Sequence, residues 1–320
     1  MNEVFKSISH FSEAELNAIY TYKKTIDDLR GFKKPYSSVI IGYQNDVRSI
    51  ENFVDLVTKN FHISHRFYRL HAKLLKQKRL KFADRGSKIG IIKKNFDFES
   101  TVEINRRAFA KVGKKYIDWL DSYLKNGQID VFPKKGKTSG AFCWTIPELS
   151  TFVLLNHTSN LRSVETLGHE MGHAFHGELT KAQPIQYRGH STATAEVAST
   201  FFEQIASNEI AETLSNKEKI IFLHNKILGS ISTIFRQIAC FNFQTELFNM
   251  IRLQGQVSKE QLAKLMKKHM ESYLGSAVEV TEDDGYDFVY WSHLRWFFYV
   301  YSYAYGELIS KVLIHQYLYL

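Results

Sequence analysis

The stretch Ser163-Val-Glu-Thr-Leu-Gly-His-Glu-Met-Gly-His-Ala-Phe-His-Gly-Glu-Leu179 contains His-Glu-x-x-His inside a pattern that reads as a helix. His169 and His173 stand at i and i+4, so both imidazoles leave one face a turn apart and can share a metal ion. Glu170 is turned about 100° from His169, too far round to chelate with it but placed to reach a water on the metal. This is the arrangement of a zinc hydrolase. Ser163 is predicted as the N-cap, with Glu165 in the first turn. Val164, Leu167, Met171 and Phe175 make the helix otherwise apolar on its inner side, where polar groups are costly unless something such as a cation satisfies them.

A structural zinc site usually needs four protein ligands, often including Cys, whereas this chain has only Cys143 and Cys240, far apart. An open catalytic site with three ligands fits better. The third ligand is expected from the next helix, predicted to begin near Thr192 after a loop over 184–191. Glu196 is the choice there, because Ala195, Val197 and Ala198 would let that helix pack closely against the first. Glu203, two turns on and on the same face, is a candidate to orient a histidine ligand, with a plain surface or core role equally open.

The 320 residues are 44% hydrophobic, enough for a substantial core. Two cysteines with no short-range pairing pattern argue for a reducing compartment. Neither a signal-peptide core nor a membrane span is legible, and a cytoplasmic location is expected. The net charge of +9 comes from Lys and Arg dense between Arg66 and Lys94 and between Arg106 and Lys115. Without aromatic platforms or a recognised binding fold beside it, this charge reads as solvated helix faces, with neither nucleic acid nor membrane as partner.

Along the chain, Ser12-Glu-Ala-Glu15 reads as a capping box opening a helix toward Gly31. Helices are predicted at about 45–59 and 62–80, and a longer one follows Asp97 through Val112 and Leu120, ending before Gly127. Three short runs, Ile129 to Phe132, Gly140 to Ile146 and Thr151 to Leu155, are punctuated by Pro133, Gly136 and Pro147 and suggest a small antiparallel sheet. Gly140, Ala141 and Phe142 are candidates to hold an extended peptide by strand addition, a structural sheet being as good a reading. A long helix is predicted from Glu218 to Leu253. Ser258-Lys-Glu-Gln261 is a capping box for another, ending at Gly275. Read as a helix from His293 onward, the aromatic C-terminal segment puts Tyr301 about 80° and Tyr305 about 120° from the histidine. Hydroxyls beside a histidine suit an oxyanion, and Tyr299 can replace either tyrosine if the phase differs.

Gly-Ala-Phe-Cys at 140–143, Leu-Leu-Asn at 154–156, Thr-Leu-Gly-His-Glu-Met-Gly-His-Ala-Phe-His at 166–176, Ala-Glu-Val-Ala-Ser-Thr-Phe at 195–201, Ile-Phe-Arg-Gln-Ile-Ala at 234–239 and Phe-Tyr-Val-Tyr-Ser-Tyr-Ala-Tyr-Gly at 298–306 together resemble the M3 family of zinc metallopeptidases, the oligoendopeptidase F and thimet oligopeptidase group. The resemblance implies a mainly α, α+β zincin-like fold with a small sheet beside the active-site cleft. It implies one zinc per chain on His169, His173 and Glu196, with Glu170 as base and His293 with a following tyrosine assisting the transition state. Relative to the family, the chain is expected to lack an N-terminal lobe and the final helices. A single catalytic domain is expected, with a helical arm over 1–125, the sheet over 126–160 and the zinc-binding helices over 161–320. The expected activity is cleavage of internal bonds in short unstructured peptides. A metallocarboxypeptidase and a non-catalytic helical binding module are the alternatives, the second having no use for Glu170.

Overall fold

The computed structural model describes residues 2–146, 149–189 and 191–319, and it is mainly helical with short strands. In chain order the elements are α1 (Asn2–Leu29), α2 (Ser37–Gly42), α3 (Val47–Lys59), α4 (Phe61–Leu74), β1 (Leu80–Lys81), α5 (Phe98–Ala110), α6 (Lys114–Lys125), β2 (Ile129–Asp130), β3 (Phe142–Trp144), β4 (Phe152–Leu154), α7 (Leu161–Thr180), α8 (Thr192–Glu212), α9 (Asn216–Ile231), α10 (Gln237–Gln254), α11 (Lys259–Leu274), β5 (Val278–Glu279) and α12 (Tyr301–Tyr319). A π-helical turn, Ser232–Arg236, joins α9 to α10. No helix among the described residues is long and apolar enough to cross a membrane.

The chain divides into two compact units that cut across the expected sequence blocks. One comprises residues 1–89 and 225–304, the other residues 90–224 and 305–320.

In the first unit α1 packs on α10 and on the 3₁₀ turn Asp283–Val289, and α11 packs on α10 and α4. Leu16, Tyr20, Phe243, Phe248, Met266 and Phe288 are buried between them. The expected capping box at Ser12 is not a helix start, because α1 begins ten residues earlier, at Asn2. Ser12 and Glu15 lie on one face of the helix interior and both serve Arg295, whose Nη2 donates to Ser12 Oγ at 3.3 Å and to Glu15 Oε2 at 2.7 Å. The box at Ser258 is real: its hydroxyl accepts from the Gln261 N–H, and the Gln261 side chain returns to the Ser258 N–H.

In the second unit α7 and α8 form the most extensive helix pair, with α5 against both. The single long helix expected after Asp97 is two, because Gly113 takes φ +152°, a conformation side chains rarely adopt, and breaks the chain between α5 and α6. Phe109, Phe175, Phe202 and Tyr116 close the core, with ring centroids 4.8 to 5.5 Å apart. The sheet corrects the expectation of an all-antiparallel arrangement. Its order is β2-β4-β3, with β3 antiparallel to β4 and β2 parallel to it. The chain leaves β2 through residues 131–141 and crosses to the far edge before β3, and such a crossover is what a parallel pair requires. Pro147, read as punctuation, lies outside the described residues.

Candidate active site

Helix α7 starts at Asn160, whose Oδ1 accepts the Ser163 N–H at 3.0 Å, so Asn160 is the cap in place of Ser163. With the cap at Asn160, Glu165 falls past the first turn where it was expected, and it is buried and accepts from Ser207 Oγ on α8 at 3.0 Å. The histidine-bearing face of α7 meets α8 at very short range because two glycines remove the side chains between them. A Cβ on Gly172 would lie 2.7 Å from Ser199 Cα and 2.8 Å from the Ala198 carbonyl oxygen. One on Gly168 would lie 2.9 Å from Asn105 Oδ1 and 3.0 Å from Ala206 Cβ. This approach carries Glu196, on the first turns of α8, to the two histidines.

His169 and His173 have ring centroids 4.9 Å apart with planes at 84°. Glu196 Oε2 is 3.7 Å from His169 Nε2, and one ligand atom from each of the three residues lies within 4.8 Å of the others. A tetrahedral zinc with bonds near 2.1 Å separates its ligands by roughly 3.4 Å, so the set fits that ion with small side-chain adjustment. Glu203 Oε2 is 2.9 Å from His169 Nδ1, which leaves Nε2 for a metal. Ser199 Oγ donates to Glu196 Oε2 at 3.1 Å and steadies the carboxylate. Burial presses the His169 pKa down, yet the bonded Glu203 carboxylate, with Glu170 and Glu196 nearby, lifts it above the ordinary histidine value.

Glu170 is buried, and among the described residues its Oε2 has no hydrogen-bond partner. Burial, reinforced by the charges of Glu196 and Glu203 and opposed by His169 and Arg162, pushes its pKa up to about 7. Both Glu170 and His169 line a cavity of about 430 Å³ together with Gly140, Ala141, Asn156 and Arg162. Asn156 Nδ2 donates to the Gly140 carbonyl at 2.8 Å and so fixes the entry to β3. Phe142 opens β3, which is an edge strand, and is 42% exposed. The candidate peptide-binding edge is therefore contiguous with the cavity beside α7.

The residues from 292 onward depart from the predicted helix. A 3₁₀ turn covers Ser292–Arg295, Phe298 takes φ +57°, and α12 begins only at Tyr301. Gln244 on α10 holds this loop, accepting the Phe298 N–H at 3.2 Å and donating to the His293 carbonyl at 3.5 Å. The helical phase from His293 thus does not apply. Tyr301 is fully buried and its hydroxyl accepts from Asn45 Nδ2 at 3.0 Å, whereas Tyr305 is half-buried further along α12. The tyrosines brought to His293 are Tyr299, hydrogen-bonded to its Nδ1 at 2.5 Å, and Tyr303, whose hydroxyl donates to that of Tyr299 at 3.5 Å. Burial, with Arg236 nearby, holds the His293 pKa below the ordinary value. Tyr303 escaped the sequence reading, and helical spacing offered no signal for it, because Tyr299 lies in the turn before α12. We expect Tyr301→Phe to cost about 1 kcal/mol of stability with turnover unchanged, as for one lost hydrogen bond. Thermal melts beside kinetics on the Phe variants of Tyr299, Tyr301 and Tyr303 check this, and a large loss of turnover at Tyr301 refutes it.

Comparison with known proteins finds relatives for the chain in sequence and in fold. The Oligoendopeptidase F homolog of Borreliella burgdorferi is 30% identical over 297 residues, covering 90% of this chain and 50% of its own. Oligopeptidase PepF of Bacillus subtilis is 26% identical over 276 residues, covering 83% of this chain and 40% of its own. The chain thus spans about half the length of the curated relatives it matches. Among solved structures, a presumed peptidase from Chlamydophila abortus superposes with a TM-score of 0.90 at 22% identity, over 99% of this chain and 54% of that one. Oligoendopeptidase-F from Enterococcus faecium gives 0.74 at 19% identity, over 99% and 50%. At these identities the structural matches establish the fold. The family profile itself runs from residue 12 to residue 319, nearly end to end, and the chain belongs to peptidase family M3.

Proposed function

We propose that this chain is a zinc-dependent endopeptidase that cleaves internal bonds of short unstructured peptides. The observation that carries the reading is the buried Glu170 carboxylate, one oxygen without a partner among the described residues, beside three residues whose ligand atoms converge within 4.8 Å. A bound zinc supplies a Lewis acid for the scissile carbonyl and lowers the pKa of water at the site. Glu170 accepts the proton of the attacking water and returns it to the leaving amine, a role its raised affinity for protons suits. His169, His173 and Glu196 hold the ion, and Glu203 keeps His169 in the tautomer that presents Nε2. An extended substrate adds to the exposed edge of β3, with Gly140 and Ala141 at the cavity wall and Phe142 at the strand. The likeness to M3 peptidases, and no distance, gives His293 with Tyr299 or Tyr303 a part in stabilising the oxyanion.

The test is zinc analysis of purified protein together with quenched peptides blocked at both ends. Near-unit zinc, chelator-sensitive cleavage of the blocked peptides and no cleavage of folded proteins are expected. Cleavage confined to free C-termini overturns the endopeptidase reading in favour of a carboxypeptidase. Zinc absent and peptides uncut return the chain to a binding role.

A further inference from the structure

We propose that Arg162 is a positioning residue for the metal site, fixing the Glu203 carboxylate and through it the ring of His169. The proposal rests on the zinc reading above. Glu203 uses its two oxygens on two different partners. Oε1 accepts from Arg162 Nη1 at 3.0 Å, and Oε2 is bonded to His169 Nδ1 at 2.9 Å. A carboxylate held at one oxygen can still turn about its terminal torsion, which is broad and soft. Held at both, its plane is set, and the imidazole bonded to it inherits that orientation.

Arg162 is itself located by the packed pair of helices. Its Nη1 also reaches Glu165 Oε2, one turn on along α7, at 3.5 Å. The other oxygen of Glu165 accepts from Ser207 Oγ, which stands one turn beyond Glu203 on α8. The order Ser207, Glu165, Arg162, Glu203, His169 therefore crosses between α8 and α7 and ends on a residue of the converging set. The side chain of Glu165 is 7% exposed and that of Glu203 15%, so each carboxylate needs a partner of opposite charge or a donor. Without the guanidinium, Glu203 faces Glu170 and Glu196 with less to keep it on His169.

The side chain of Arg162 is 66% exposed. The guanidinium is open to solvent while its two carboxylate partners are enclosed, so the melting temperature of each variant is recorded beside its zinc affinity to tell a loss of geometry from a loss of fold. Lys at this position keeps the charge but not the planar fork, and is expected to restore the function only in part.

Zinc affinity, read by competition with a chromophoric chelator, decides the matter for wild type, R162A, R162K, E203Q and R162A/E203Q. R162A is expected to weaken zinc binding about tenfold, the lower end for loss of a group that orients a ligand. R162K should fall between R162A and wild type. In the E203Q background, R162A should change affinity by less than about twofold, because the partner through which Arg162 acts is already altered. If E203Q does not fold, the order of R162A, R162K and wild type carries the test alone. R162A within twofold of wild type overturns the proposal, as do R162A and E203Q effects that simply multiply. A higher KM for acidic peptides with unchanged zinc affinity also overturns it and assigns Arg162 to substrate at the cavity wall. Wild-type protein that takes up no zinc refutes the zinc reading itself, which none of the variant outcomes does.

Discussion

Replacing Glu170 by Gln is expected to lower peptide hydrolysis by about a hundredfold to ten-thousandfold while zinc content stays near the wild-type level. The amide keeps the size of the side chain but cannot take the proton of the attacking water, and Glu170 is not one of the three converging residues. Wild-type cleavage by this variant would remove Glu170 from the mechanism. Its titration offers a second reading of the same group. In the metal-free protein burial lifts the folded pKa from 4.5 to about 7, so the charged form is the costly one and the folded state binds the proton more tightly. The contribution of Glu170 to stability therefore declines as pH rises through the interval from 4.5 to about 7. Melts of metal-free wild type minus Glu170→Gln should show that decline. Zinc favours the carboxylate, so the rising limb of the activity profile should fall below pH 7. A limb at or above 7 with zinc bound assigns it to another group.

The second large effect is expected where no side chain exists. Gly172→Ala places a methyl 2.7 Å from Ser199 Cα and 2.8 Å from the Ala198 carbonyl, atoms of a helix backbone that cannot rotate aside. Overpacking of this kind costs about 1–3 kcal/mol. Relief comes only by displacing α8 just beyond Glu196, and zinc affinity should fall at least about tenfold along with the melting temperature. Gly229→Ala is the control: it lies in the interior of α9 with nothing within 4 Å of the added carbon, and Ala is the better helix former. That variant should melt at or slightly above wild type. Gly172→Ala with normal zinc affinity would show that α8 yields without moving Glu196.

What could be read in advance follows from how local each signal is. The pair His169 and His173 is fixed by helical periodicity alone, and Glu196 was reachable because small residues around a carboxylate mark a close helix contact. Ser258 was legible because both halves of its capping box lie within four residues. Ser12 carried the same kind of pattern, Ser-x-x-Glu, and failed, since nothing local reveals that Arg295, far along the chain, claims both side chains. Tyr301 failed for a related reason. Its phase depended on a helix that Gln244, on α10, interrupts by binding the Phe298 N–H and the His293 carbonyl. The direction of β2 was equally out of reach, because alternation of side chains specifies a strand and not its neighbour's sense. Arg162 gave no sign at all, for a charged residue near a helix start reads as solvent-facing until its partner on α8 is seen.

The edge of β3 has a bearing on solubility as well. An unpaired strand rim carrying Phe142 at 42% and Trp144 at 61% exposure is a template on which another chain can continue the sheet. Here the rim is three residues long, and its neighbour β4 is no longer. A stray strand gains only a few backbone hydrogen bonds there, well short of the six or seven residues that cross-β stacking generally uses. The brevity of the sheet limits what its open edge can template. Lengthening β3 by design would improve its grip on a peptide and, by the same addition, its tendency to aggregate.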